Sequence, residues 1–197
     1  MRTSTAIAAF LLAGIAWSGA MAVEKPPKGR TAYEQGPFYD PRTGSYFELR
    51  LNRVRNLYWR IARKEAASVT YKGRRGRLAV VKDQETLDFI REHFRINGAT
   101  WIGLQFYCKY RKLMWVTGEL QPLGGTTMWA PRWYRNPENR CVTSNMAAMP
   151  VYLTPEADGP VLWQASSRNK TFRSFLVEYP ARPAEAKTPD QDSGNQD

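Results

Sequence analysis

Residues 100–119 read TWIGLQFYCKYRKLMWVTGE. Two short apolar runs, TWIGLQFY and KLMWVTG, lie either side of a charged link at Lys109–Arg111. Each run carries one tryptophan, Trp101 or Trp115, and Thr117-Gly118 follows as a turn pair. Runs of this length, rich in aromatic and branched residues and bounded by turn chemistry, predict strands. NRCVTSN (139–145) and RSFLVEY (173–179) are further short strand candidates, set between glycine- and proline-containing loops.

Toward the N-terminus the period changes. GSYFELRLN (44–52) alternates, with Phe47, Leu49 and Leu51 on one face and Tyr46, Glu48 and Arg50 on the other, which predicts a strand after the turn residues YDPRTG. In LYWRIARKEAASVTY (57–71), Trp59, Ala62, Ala66 and Val69 recur at helical spacing while Arg60, Arg63 and Lys64 face away. KGRRGR (72–77) ends that helix, and LAVV (78–81) predicts a short strand or extended link. A second helix follows, with Asp83 as N-cap, Leu87, Ile90 and Phe94 as its buried stripe, and Asn97-Gly98 as its stop. Strand, helix, helix and then several strands make an α+β domain, without internal repeats or heptads.

The chain opens MRTSTAIAAFLLAGIAWSGAMAVEKPPKG. Arg2 precedes an apolar run from Ala6 to Trp17, and Ala20 and Ala22 bracket Met21, the order of a secretory signal cleaved after Ala22. A membrane span needs roughly 20 apolar residues, and this run is shorter and holds Gly14. Residues 1–22 are therefore read as a signal peptide, 23–39 as a polar leader and 40–180 as one domain. Residues 181–197 lack large apolar side chains and are read as a disordered tail. An exported protein, periplasmic or extracellular and not membrane-spanning, is expected.

The formal net charge is +11, and loss of Arg2 with the signal leaves +10. A basic surface attracts polyanions such as acidic polysaccharide, lipopolysaccharide, anionic lipid or nucleic acid, though charge also serves solubility. Export argues against nucleic acid as the partner. The two cysteines, Cys108 and Cys141, can form a disulfide in an oxidising compartment, but sequence sets no geometry for it. With a lone histidine, His93, they offer no zinc-ligand spacing. No nucleophile or metalloprotease motif is present, and no enzyme activity is expected.

Taken in order, these pieces resemble the C-type lectin-like domain in a cysteine-poor bacterial form. The match rests on Leu57, Trp59 and Ala62 of the first helix, on GRLAVV (76–81), and on WIGL (101–104), its most specific element. It continues through LMWVTGE (113–119), TTMWAP (126–131), Cys141-Val142 and FLVEYP (175–180), and covers roughly residues 40–180. The resemblance implies two helices packed on small antiparallel sheets, with a long loop region that carries the ligand. It also implies that Trp59, Trp101 and Trp115 are framework residues filling the core.

The departures from the family pattern bear on function. Family members that bind calcium use Glu-Pro-Asn or Gln-Pro-Asp in the long loop and Trp-Asn-Asp further on. Here the loop after Trp129 reads APRWYRNPENR, and Trp163 is followed by Gln164-Ala165. Calcium takes six to eight oxygen ligands; alanine offers none, and Arg132, Arg135 and Arg140 repel a dication. Glu138 and Asn139 become ligands only if the register slips, so no cofactor is expected. Cys141 alone falls at a family cysteine position, and a bridge to Cys108 would be particular to this chain. Oxidases that generate formylglycine share a variant of this fold, but the cysteines here stand in other contexts.

In the loop, Trp133 and Tyr134 stand among Arg132, Arg135 and Arg140, beside Glu138 and Asn139. Flat aromatics stack on sugar rings, and guanidinium groups pair with carboxylate or phosphate. The expected function is a calcium-independent module for an anionic carbohydrate or envelope polysaccharide, with a protein partner at the envelope as the alternative. Two further basic clusters are Lys72, Arg74, Arg75 and Arg77, read as solvated surface, and YCKYRK (107–112), whose interleaved aromatics could extend a ligand surface.

Overall fold

The structure, a computed structural model, describes residues 35–123, 128–130, 148–155, 159–166 and 168–182. A nine-stranded sheet is its framework. Its main path uses β1 (Gln35–Asp40), β2 (Ser45–Leu51), β7 (Thr100–Tyr107), β10 (Met149–Pro155), β11 (Val161–Ala165) and β13 (Ser174–Tyr179). They lie in the order β1-β2-β13-β7-β10-β11. The short strand β6 (Arg77–Leu78) pairs with β13, and β8 (Lys112–Trp115) joins β7 to β9 (Leu120–Gln121). The other short strands are β3 (Leu57–Tyr58), β4 (Thr70–Tyr71), β5 (Arg74–Arg75) and β12 (Thr171–Phe172), paired β3 with β12 and β4 with β5. The α+β architecture, with two helices among the described residues, is that expected from the sequence.

Both faces of the central strands are covered. Side chains alternate along a strand, so Phe175, Val177 and Tyr179 of β13 join one apolar cluster while Leu176 joins the other. The first cluster receives Trp59, Ala62 and Ala66 of α1 (Trp59–Ser68), and the second Leu87 and Ile90 of α2 (Gln84–His93). The stripes read at helical spacing are thus the buried faces of both helices.

Tryptophans fasten α1 to the sheet. The Trp59 indole N–H donates to the Ile102 carbonyl at 2.7 Å, and the Trp101 indole N–H donates to the Leu57 carbonyl at 2.8 Å. The continuous β3–α1 segment and β7 therefore each supply one ring and one acceptor to the other, and both indoles are buried. Gly103 in WIGL has a steric reason: a Cβ there would stand 2.7 Å from the Leu78 carbonyl oxygen and 2.9 Å from Val116 Cγ2. The Gly103 backbone bonds to Ala79 and Val116 at that close approach, at 2.8 and 2.7 Å.

Four differences from the sequence expectations have physical causes. Strand β1 takes in residues 35–39, placed above in the leader, because its pairing with β2 supplies order that its polar composition does not. Helix α2 stops at His93 rather than at Asn97-Gly98. Phe94 leaves the helix with φ −126° and ψ 133°, which lets Phe94 and Ile96 both reach the core. Strand β10 holds Pro150 and Pro155, residues that argue against an inner strand, yet it lies between β7 and β11. Its pairing with β7 shifts register between Pro150 and Tyr152, where a missing N–H is tolerated. Strand β11, VLWQA, is too short to stand out without its partner.

On the polar face of β2, Glu48 is also buried. Glu48 accepts a short hydrogen bond from the Tyr179 hydroxyl and pairs with Arg50 at 3.3 Å. Burial, then the Glu48 hydrogen bond and charge, push the Tyr179 phenol far above its ordinary pKa and keep it a donor. At the start of α2, the Asp83 carboxylate accepts from the Thr86 N–H at 2.8 Å and from Arg42 at 3.0 Å. Burial raises the Asp83 pKa, but the Thr86 hydrogen bonds and the Arg42 charge outweigh it and hold the carboxyl below its ordinary value.

Trp101→Ala is expected to lose about 3–5 kcal/mol of unfolding free energy in urea. Trp101→Phe, which keeps a ring but leaves the Leu57 carbonyl unbonded, is expected to lose about 1–3 kcal/mol. Asp83→Ala is expected to cost about 1 kcal/mol at neutral pH. A depressed carboxyl pKa stabilises above the unfolded value and ceases to as pH falls through the folded one, so this gap closes below about pH 4. Urea melts of both proteins from pH 7 to pH 2.5 check it.

Candidate functional site

The root of the long loop is built on three tryptophans. Trp163 of β11 meets Trp115 of β8 edge-on at 5.8 Å and Trp129 edge-on at 5.4 Å. The Ala130 N–H donates to the Trp163 carbonyl at 2.9 Å, and the Trp163 N–H donates to the Met128 carbonyl at 2.6 Å, so residues 128–130 clip onto β11. The Trp115 indole donates to Gln121 Oε1 at 2.9 Å, tying β8 to β9. Trp129 is buried, a core residue rather than a ligand platform.

The loop residues read as ligand-binding, Arg132, Trp133, Tyr134, Arg135, Glu138, Asn139 and Arg140, lie outside the described residues. Cys108 is disulfide-bonded, and Cys141 also lies outside them. On β11, Gln164 stands opposite Tyr152 and the buried Ala165 opposite Val151. The Ala165 side chain offers no oxygen, and among the described residues no group of three or more His, Cys, Asp or Glu side chains is placed to hold a metal ion. These positions do not fit the oxygen-rich set that calcium requires.

The cationic side chains divide by what they touch. In the cluster at 72–77, Arg77 pairs with the buried Glu178 at 2.9 Å, and Arg75 donates to the Ala67 carbonyl at 2.9 Å. Lys72 and Arg74 each lie 4.9 Å from the centre of the Tyr46 ring. Arg74 and Arg77 are thereby half-buried, whereas Lys72 and Arg75 stay exposed, as the sequence suggested. In the cluster at 107–112, Lys109 sits over the exposed Tyr110 ring at 5.6 Å, and Arg111 occupies the hairpin with φ 49°.

A further cationic face was not legible as a unit in the sequence. Arg53 and Arg55 precede β3, and Arg60, Arg63 and Lys64 lie on the outer side of α1. The β3–β12 pairing, Tyr58 with Thr171 and Leu57 with Phe172, brings Arg168, Lys170 and Arg173 beside them. All are exposed, and none makes an ion pair among the described residues. Glu65 is the one carboxylate within 53–64 and its next neighbour or within 168–173. The acid-free run from Arg53 to Lys64 was the available signal; its continuation across β12 depends on tertiary pairing.

Arg77→Ala is expected to cost about 3 kcal/mol, because it leaves Glu178 buried beside fewer partners. Arg60→Gln, at an exposed site without a partner, is expected to stay within about 0.5 kcal/mol of wild type. Thermal melts of the two variants test this division of the cations.

Comparison with known proteins bears on the fold. No protein-family model matches the chain, and no curated protein matches it in sequence. Among solved structures, human lithostathine matches with a TM-score of 0.50 and 17% identity, over 81% of this chain and 99% of that one. The carbohydrate-recognition domain of the mouse scavenger receptor C-type lectin matches with a TM-score of 0.50 and 14% identity, over 78% of this chain and all of that one (100%). The chain has the C-type lectin-like fold.

Proposed function

We propose that this chain of C-type lectin-like fold is an exported, calcium-independent binding module for an anionic carbohydrate or cell-envelope polysaccharide. The observation that carries the reading is the cationic face of β3, α1 and β12, from Arg53 to Lys64 and from Arg168 to Arg173, exposed and without ion pairs among the described residues. Like charges gathered without carboxylates raise the local potential and repel one another until a polyanion neutralises them. An extended acidic polymer suits that role better than a single small anion, since the cations spread over a helix and the segments flanking β3 and β12. The loop arginines Arg132, Arg135 and Arg140 would add to the same attraction.

Independence from calcium is supported by the side chain at 165, since an alanine on β11 supplies no side-chain oxygen. Carbohydrate as the ligand class is supported by the scavenger receptor domain, a carbohydrate-recognition domain that shares the fold. Catalysis is disfavoured by the place of the lone histidine. The His93 ring stacks on Phe89 at 4.1 Å, and its Nδ1 lies 2.9 Å from the Phe89 carbonyl oxygen, which makes it part of the packing of α2.

A protein partner is the second reading. Tyr110, Leu120 and Leu123 are exposed near the β7–β8 hairpin and β9, beside a cavity of about 300 Å³ with mostly apolar walls. Exposed apolar and aromatic groups of this kind form interface cores, and salt does not weaken such contacts.

Retention on an immobilised sulfated or uronic-acid polysaccharide separates the readings. Binding is expected to persist in chelator and to fall steeply as salt shortens the screening length from about 10 Å at 0.1 M to about 3 Å at 1 M. Retention that requires calcium, or that salt leaves unchanged, would overturn the proposal.

A further inference from the structure

Within the cationic face lies a cavity of about 370 Å³, lined by Tyr58 and Arg60 at the start of α1, Gln105 of β7, Pro150 of β10, and Arg168 with Asn169. Its walls come from segments far apart in sequence and, among the described residues, include no carboxylate. Arg60 and Arg168 make no hydrogen bond or ion pair among the described residues, so two guanidinium groups face one concavity without a counter-charge. Gln105 Oε1 accepts from the Tyr107 hydroxyl at 3.3 Å, which leaves the Gln105 amide N–H groups as donors. Tyr58 is half exposed, and with Pro150 it gives the cavity a flat apolar side. The Trp59 indole beneath is held by the Ile102 carbonyl, which fixes the floor.

This combination specifies a ligand chemistry. Two arginines match the geometry of a carboxylate or sulfate, which they bind through paired N–H donors. Amide donors suit ring hydroxyls, and the face of a tyrosine suits the C–H surface of a sugar ring. The volume lies at the lower end of the range for small-molecule sites, roughly 300–1,000 Å³, enough for one unit and not for a run of chain. We propose that the cavity is a subsite for a single acidic sugar unit, a uronate or sulfated residue, whose anionic group lies between Arg60 and Arg168. Gln105 and Asn169 bond its hydroxyls, and Tyr58 packs on its ring. This rests on the reading of the chain as an acidic-polysaccharide binder and gives that binder a discrete point of recognition beside its diffuse charge.

The test titrates the full chain with glucuronate, with glucose as neutral control and with inorganic sulfate, following the Trp59 indole N–H resonance. Glucuronate is expected to shift that resonance, glucose to leave it unmoved, and sulfate to act more weakly. Arg60→Gln with Arg168→Gln is expected to weaken glucuronate binding about tenfold or more through loss of charge-assisted hydrogen bonds. The unliganded position of the same resonance reports that the variant is folded. No shift with glucuronate, an equal shift with glucose, an equal response to sulfate, or an unchanged affinity in the double variant would each overturn the subsite. Polysaccharide retention, measured in parallel, keeps the two readings apart. Retention without a Trp59 shift removes the subsite and leaves the general function standing. A Trp59 shift lost in the double variant, without retention, removes the polymer reading and keeps the acidic-sugar site.

Discussion

The exchange of indole hydrogen bonds between Trp59 and Trp101 determines where the first helix sits. Each ring is buried, and each N–H finds a backbone carbonyl on the opposite element, at Ile102 and at Leu57. A buried indole without an acceptor costs on the order of 1–3 kcal/mol, so α1 can neither slide along β7 nor lift from it without losing both bonds. The absence of a side chain at Gly103 lets the 78–79 segment close on the other part of the same strand. Once α1 and β7 are joined, β3 is in position to pair with β12, and the chain's two cationic stretches meet.

Charge in this molecule serves two different purposes. Some ionised groups are internal: Glu178 accepts from Arg77, Ser45 and the Val80 N–H, and Glu48 accepts from Tyr179 beside Arg50. Buried charges persist only when paired and hydrogen-bonded, and these two carboxylates tie the last strand to β2 and β6. The exposed cations of α1 and of the segments flanking β3 and β12 make no ion pair among the described residues. Their mutual repulsion is a cost that the fold bears, and the proposed polyanion would relieve it, which is why unpaired cations carry that proposal better than the total charge does.

The loop root separates framework from recognition in another way. Trp115, Trp129 and Trp163 pack edge to face, an arrangement favoured by the ring quadrupole, and residues 128–130 clip to β11 through backbone bonds. That geometry fixes residues 128–130 against β8 and β11. Ala165, buried on β11, belongs to the same framework.

Periodicity is local, and what it determines was legible. The stripes of Trp59, Ala62 and Ala66 and of Leu87 and Ile90, the cap at Asp83, and the strands at 45–51, 100–107 and 174–179 all arise from interactions within a turn or a pleat of the residue concerned. Even the tryptophan framework could be read, because burial of so large an apolar ring is favoured in any context. The inner position of β10 depended on a register shift that accommodates Pro150, and the early end of α2 on the core's demand for Phe94 and Ile96. The separation of structural from unpaired arginines depended on partners far away in the chain: Glu178 meets Arg77 only because β13 lies beside β6, and Arg168 meets Arg60 only because β12 pairs with β3. Composition fixes how many charges a chain carries; tertiary pairing alone decides which are neutralised and which remain to bind.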